Sequence, residues 1–185
     1  MGNTLKKILV TGADGFIGSH LVEALSKEGS DIRAMAMYNS FNNWGWLDHL
    51  DKKTLQKIEV YPGDMRDRKS VDNACKDIDI VFHLASLIAI PQSYYSPYAY
   101  LETNATGALN LFESCLNSKV EKIIHTSTSE VYGEYDSVPI SELNKNIARS
   151  PYSATKIAAD QLAYSYYSTF DLPVSIIRPF NTFGP

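Results

Sequence analysis

The sequence predicts an α/β protein, a doubly wound parallel sheet with helices on both faces. Three observations predict it. Six short apolar runs rich in β-branched residues are spaced along the chain, helix-length segments stand between them, and the first run leads directly into a glycine-rich turn and a helix. Strands that are apolar throughout need cover on both faces, which alternating helices supply.

The elements follow in order. Ile8-Leu9-Val10 is the first strand, followed by the turn Thr11 to Gly18. Leu21, Val22 and Leu25 mark the buried face of a helix that ends near Gly29. Ile32 to Met37 reads as the second strand. Residues 38–51 (YNSFNNWGWLDHLD) have no period and read as an irregular excursion. Ile58 to Tyr61 is a third strand, stopped by Pro62-Gly63. Residues 68–76 form a short helix, and Ile80 to Leu84 a fourth strand. Pro97 to Leu116 reads as one long helix with Leu101, Leu109 and Phe112 inward. Ile123 to Thr126 is the fifth strand. Ser150-Pro151 is a helix start signal for Tyr152 to Phe170, and Val174 to Ile177 is the sixth strand. The sequence ends shortly after that strand.

The 185 residues read as one domain, 1–185, and 44% hydrophobic content is enough for a sizeable core. A net charge of −4 with no basic stripe argues against a nucleic-acid partner. Cys75 and Cys115 read as reduced thiols, which points to the cytoplasm. The apolar run after Lys6-Lys7 is too short for a signal peptide, and no stretch reaches the roughly 20 apolar residues of a membrane span. His20, His49, His83 and His125 have no metal-ligand spacing, so no metal is expected.

Gly12-Ala13-Asp14-Gly15-Phe16-Ile17-Gly18 lies between the first strand and the first helix. Gly12 permits the tight turn, Gly15 lets backbone approach a pyrophosphate, and Gly18 lets helix and strand pack closely. The helix amino terminus then faces the phosphates. In this strand–turn–helix context the loop predicts dinucleotide binding on a Rossmann sheet. At the end of the second strand, NAD-binding sheets usually carry an acidic residue for the adenosine ribose. Here the stretch is Ala36-Met37-Tyr38-Asn39-Ser40, with no carboxylate and no following Arg or Lys to hold a 2′-phosphate. Asn39 and Ser40 are left to bond a ribose. The missing basic partner favours NAD, with NADP as the alternative.

Tyr152-Ser153-Ala154-Thr155-Lys156 sets a phenol and an ammonium at i and i+4, on one helix face. A free phenol titrates near about 10, and a neighbouring Lys⁺ favours its ionised form. Tyr152 can then take a proton from a substrate hydroxyl.

The spacing G-x-x-G-x-x-G together with Tyr152 and Lys156 resembles the extended short-chain dehydrogenase/reductase family, the NAD-dependent nucleotide-sugar epimerases and dehydratases. Further matches follow in family order. Gly63-Asp64-Met65-Arg66-Asp67 resembles the segment that places Asp64 and Met65 near the adenine. His83-Leu84-Ala85-Ser86 resembles the end of strand four that lines the cofactor. Asn104 stands at the family's helix-four asparagine. The resemblance implies that Gly12, Gly15, Phe16, Ile17, Gly18, Leu84, Ala85, Ser86, Tyr152, Lys156 and Pro179 contact the dinucleotide. It also implies that Thr128, three residues before Val131-Tyr132-Gly133, bonds the reacting oxygen, and that Ser129 and Asn181 touch the nucleotide-sugar substrate.

Glu130 is the informative residue. The epimerases that the chain resembles usually have a neutral residue there. Once C4 of the sugar is a ketone, its C5 hydrogen is acidic, and Glu130 is placed to remove it. Loss of the C6 hydroxyl and hydride return to C6 complete a 4,6-dehydration with no net redox change. The hexose dehydratases known for T-D-E use the aspartate as the acid; this chain has Thr128-Ser129-Glu130, so a different acid or a water is needed. T-S-E also resembles the decarboxylases of UDP-glucuronic acid. Residues 38–47, the stretch Leu87 to Pro91, and Thr126 to Gly133 together resemble the nucleotide-activated N-acetylglucosamine 4,6-dehydratases of the legionaminic-acid route. The resemblance therefore implies a lyase acting on UDP- or GDP-N-acetylglucosamine. A C4 epimerase, a uronate decarboxylase and a non-catalytic NAD(P) sensor are the other readings. It further implies a homodimer, paired through the Pro97–Leu116 and Tyr152–Phe170 helices, and a carboxyl-terminal substrate domain beyond this sequence.

Overall fold

A computed structural model describes residues 5–134 and 138–184. Strand β1 (Lys7–Thr11) lies inside the sheet because both of its faces are apolar. Ile8 and Val10 enter one core and Leu9 the other, as the period of two in a strand requires. Helix α1 (Phe16–Lys27) follows, then β2 (Asp31–Ala36). The excursion after β2 is ordered by a 3₁₀ turn at Gly45–His49, whose Leu47 is fully buried. A short helix α2 (Lys52–Leu55) closes it, with Asp51 Oδ1 accepting hydrogen bonds from the Lys53 and Thr54 N–H groups at 2.9 and 3.0 Å. Next come β3 (Glu59–Pro62), α3 (Arg68–Ala74) and β4 (Ile80–His83).

The segment expected as one helix from Pro97 to Leu116 is three pieces. Helix α5 (Pro97–Tyr100) runs into a wide π turn, Leu101–Thr106, and continues as α6 (Gly107–Ser118). A separate helix, α4 (Ile90–Tyr95), precedes them with Pro91 in its first turn. The π turn brings Asn104 inward. Its Oδ1 accepts from Leu87 N–H at 2.8 Å and Ser86 Oγ at 3.1 Å, and its Nδ2 donates to Leu87 O and Thr155 Oγ1. Such bulges are common where a helix must present a working side chain. Strand β5 (Lys122–Thr126), helix α7 (Pro151–Phe170) and β6 (Val174–Ile177) complete the described elements.

All five strand pairings are parallel, in the order β3-β2-β1-β4-β5-β6. Order reverses between β1 and β4, and in open parallel sheets that crevice, outside the carboxyl ends of the strands, is where ligands bind. The predicted doubly wound sheet is therefore present. One face packs Leu9, Val81 and Ile123 against Leu111 and Phe112 of α6 and Ala159 and Ala163 of α7. The other packs Ile8, Val10, Ile32 and Ala34 against Val22 of α1 and Leu47 of the excursion. Each fully buried Leu or Phe of this kind contributes about 1.5–3 kcal/mol. Cys75 and Cys115 are buried and unbridged. Among the described residues no helix is long and apolar enough to cross a membrane.

Candidate active site

A cleft of about 850 Å³ opens at the carboxyl ends of the strands. The glycine turn forms its floor. Gly12 has φ +69°, and a Cβ there would stand 2.7 Å from the Ala85 nitrogen. A Cβ on Gly18 would stand 2.1 Å from the Gly12 carbonyl oxygen, so the turn and α1 touch backbone to backbone. Gly15 caps α1 without a side-chain acceptor, which leaves the first N–H groups of the helix available at the cleft. These features fit a dinucleotide pyrophosphate. Gly18→Ala should destabilise the fold by about 1–3 kcal/mol, because rigid backbone must shift to admit the methyl group. Chemical denaturation checks this, and an unchanged unfolding free energy would refute the close approach.

The structure brings most of the expected residues to this one cleft. Gly12, Gly15, Phe16, Ile17 and Gly18 line it from the turn, and Asp64 and Met65 from the segment after β3. Leu84, Ala85 and Ser86 line it after β4, and Thr128, Ser129 and Glu130 after β5. Tyr152 and Lys156 enter from α7, and Pro179 and Asn181 from the segment after β6. Asn39 and Ser40 do not line it. The Asn39 side chain is spent inside the excursion, where Nδ2 donates to Asn43 O at 2.9 Å and Oδ1 accepts from Phe41 N–H at 2.9 Å. A local turn has thus taken Asn39's polar atoms away from the ribose contact expected of it, and Ser40 stands outside the cleft lining.

Tyr152 and Lys156 are fixed by the start of α7. Ser150 and Ser153 form a reciprocal capping box, each hydroxyl accepting from the other's backbone N–H at 3.0 Å, and Pro151 opens the helix. Tyr152 is 6% exposed, and its ring meets Tyr100 edge to face at 6.3 Å. Tyr100 is itself held by its hydroxyl, which donates to Ala89 O at 2.6 Å. Burial pushes the Tyr152 phenol above its ordinary value; a hydrogen bond with Thr128 opposes this, and the nearby Glu130 and Tyr100 add to the rise. Lys156 is not among the groups that shift it. Lys156 Nζ donates instead to the Thr126 carbonyl at 2.7 Å. Burial lowers the Lys156 amine to about 8, with Asp160 opposing. Its ammonium is present below that pH and lost above it.

Behind the pair lies a charged network that sequence reasoning missed. Arg178 Nε and Nη2 donate to Asp160 Oδ2 at 3.1 and 2.9 Å, and His125 Nε2 lies 3.5 Å from Asp160 Oδ1. Arg178 Nη1 donates to the Tyr132 hydroxyl at 3.1 Å. Burial pushes the Asp160 carboxyl up, but the neighbouring His125, Ser127 and Arg178 outweigh it and hold the group below the usual carboxylate value. The network ties β5, α7, the segment after β6 and the Ser129–Tyr132 turn together. The signal for it was available: Lys156 and Asp160 continue the buried stripe of Tyr152 at i+4 and i+8, where a plain core helix would be apolar. Thr128 shapes the adjacent turn, its Oγ1 accepting from Glu130 N–H at 3.2 Å, while Ser129 N–H donates to Pro179 O at 3.2 Å. Glu130 itself is exposed at the cleft. Asp14 and Arg66 line the cleft as well and were not singled out from the sequence.

The arrangement can take a proton from a hydroxyl at Tyr152 and one from carbon at Glu130, beside a dinucleotide-shaped floor. Comparison with known proteins shows the family. The family model of GDP-mannose 4,6 dehydratase matches residues 9–185. The chain belongs to this family. Members of the wider group of nucleotide-sugar enzymes match over nearly the whole chain. The dTDP-D-glucose 4,6-dehydratase of Dictyostelium discoideum is 36% identical over 98% of this chain and 45% of that enzyme. Among solved structures, the UDP-N-acetylglucosamine 4-epimerase of Methanobrevibacter ruminantium, in complex with UDP-N-acetylmuramic acid, superposes with a TM-score of 0.88 at 33% identity, covering 98% of this chain and 56% of that one. DesIV of Streptomyces venezuelae, a dTDP-glucose 4,6-dehydratase with NAD and TYD bound, gives 0.83 at 29%, covering 97% and 57%. The chain thus spans about half the length of these relatives.

Proposed function

We propose that the protein is an NAD-dependent nucleotide-sugar 4,6-dehydratase acting on UDP- or GDP-N-acetylglucosamine. The observation that carries this reading is Glu130, an exposed carboxylate in the same cleft as the Thr128–Tyr152 pair and close enough to raise the phenol. NAD, when bound, supplies the acceptor that oxidises C4 and returns the hydride to C6. The glycine turn and the open N–H groups of α1 hold its pyrophosphate. Tyr152 takes the C4 hydroxyl proton, and Thr128 bonds the same oxygen. Lys156 carries positive charge at the base of the cleft below about 8 and so favours phenolate. Glu130 takes the C5 proton once C4 is a ketone. The C6 hydroxyl then departs with a proton as water, and with the hydride returned to C6 a proton is returned to C5, so the substrate loses one water and its net oxidation level is unchanged.

An epimerase needs the Tyr152 step but has no use for a base at C5, which is why Glu130 favours dehydration. A non-catalytic NAD(P) sensor would need neither residue. Full-length protein incubated with UDP- and GDP-N-acetylglucosamine should form a 4-keto-6-deoxy sugar, seen as a loss of water by mass spectrometry. A C4 epimer as the product, or CO₂ released from a uronic acid, would replace this reading with one of its alternatives.

A further inference from the structure

Residues 36–40 supply no carboxylate after β2, yet the fold places one there. Asp14, in the glycine turn, reaches across to the end of β2, where its Oδ2 accepts a hydrogen bond from Met37 N–H at 3.2 Å. Met37 is the first residue past that strand, and it lines the cleft beside Asp14.

This placement is held from several sides. Ala13 N–H donates to Met35 O at 3.1 Å, and Trp46 N–H donates to the Asp14 carbonyl at 3.0 Å. Gly45 has φ +58°, and a Cβ there would stand 2.6 Å from that same carbonyl oxygen. The excursion and the glycine turn are therefore locked together around Asp14. Its carboxylate is free of cations: no ion pair to it exists among the described residues. Of the two cations in the cleft lining, Lys156 Nζ is bonded to Thr126 O, and Arg66 grips Asp64 through Nε at 3.0 Å and Nη2 at 2.6 Å. A carboxylate offers about four lone-pair positions, so the Met37 contact leaves capacity for a ligand's donors. Burial raises the Asp14 carboxyl above its ordinary value, against the opposing backbone hydrogen bonds of Met37 and Asp14 itself. Hydroxyl donors would relieve that cost, and a second anion would add to it.

We propose that Asp14 takes the place of the missing strand-two carboxylate: it accepts the adenosine ribose hydroxyls and its charge excludes a 2′-phosphate, selecting NAD over NADP. The proposal rests on the dinucleotide reading above. A 2′-phosphate brings roughly −1.5 to −2 charges, to be set against a fixed, partly buried carboxylate. Arg66, a cation of the cleft lining among the described residues, is already held by Asp64.

The test is calorimetric titration of full-length protein with ADP-ribose and 2′-phospho-ADP-ribose, which report binding without turnover. Wild type should prefer ADP-ribose. Asp14→Asn keeps an acceptor for Met37 N–H but removes the charge. It should weaken ADP-ribose about tenfold or more, as loss of a charge-assisted hydrogen bond does, and bring the two ligands toward equal affinity. Adding Met37→Asp to Asp14→Asn should restore the preference from the strand itself. Equal binding of both ligands by wild type would overturn the proposal without any variant. So would an unchanged preference in Asp14→Asn. Failure of the cofactor reading looks different, since wild type would then bind neither ligand, and the proposal would fall with it.

Discussion

Tyr152→Phe in the full-length protein should lower turnover about 10²- to 10⁴-fold, the range expected when a positioned acid–base group is removed. The effect should fall on the rate and not on the fold. The phenyl ring keeps the edge contact with Tyr100 at 6.3 Å, and the lost hydroxyl gives up only its interaction with Thr128. Affinity for ADP-ribose, which does not reach the phenol, should stay at the wild-type level. The need for help at this residue is visible in the chain's own electrostatics. Burial, Glu130 and Tyr100 all oppose the phenolate, and only Thr128 favours it. The remaining help must come from positive charge, which a bound nicotinamide would supply and to which Lys156, one turn along α7, would add. Its pKa is lowered, so the charge is fully present well below about 8 and disappears as pH rises through that value. Wild-type turnover should therefore stop rising with pH near 8. A Tyr152→Phe protein retaining a third of wild-type turnover would remove the phenol from the mechanism, and a rate climbing steadily well past pH 8 would remove Lys156.

Much of this was legible in the residues, for identifiable reasons. Short β-branched runs bounded by Gly, Pro or charge can be little else than buried strands, and all six appear within two residues of their expected limits. The cap at Ser150-Pro151 is a local signal and acts locally, so α7 begins where it says. Features that depend on distant backbone were not legible. Nothing near Leu101–Thr106 announces a π turn; it is needed because Asn104 must reach Leu87 and Thr155, 17 residues behind it and 51 ahead. Helix α4 was hidden because Pro91 reads as a breaker until its place in a first turn is known. Asn39 looked available for a ribose because its partner in the turn, Asn43, cannot be inferred without the excursion's path. Asp14 was not singled out because its partner, Met37, is 23 positions away. In each case the chemistry of the residue was readable and its partner was not.

Glu130→Gln separates the proposed dehydration from its alternatives more sharply than any other change. Glutamine keeps the size and the backbone contact with Thr128, which is made by the residue 130 N–H and not by its side chain. It cannot accept a proton from carbon. Formation of the 4-keto-6-deoxy sugar should fall at least about 10²-fold. Oxidation at C4 should survive, because Thr128, Tyr152 and Lys156 are untouched. Removing the Glu130 charge also removes one of the influences that raise the Tyr152 phenol, so the first proton transfer should become no harder. Two substrate-level measurements follow. In D₂O the wild type should place deuterium at C5 of its product, and the variant should give none. Quenching the variant with borodeuteride should recover, in amounts up to one per enzyme, sugar labelled at C4 that still carries its C6 oxygen. If Glu130 only shaped the loop, C4 oxidation and C5 exchange would decline together, and the trapped C4 label would be missing. If the enzyme were a C4 epimerase, Glu130→Gln would leave turnover near the wild-type rate with no C5 exchange in either protein. The two-stage pattern, a retained C4 ketone and a silent C5, is the signature that assigns the base at carbon to Glu130.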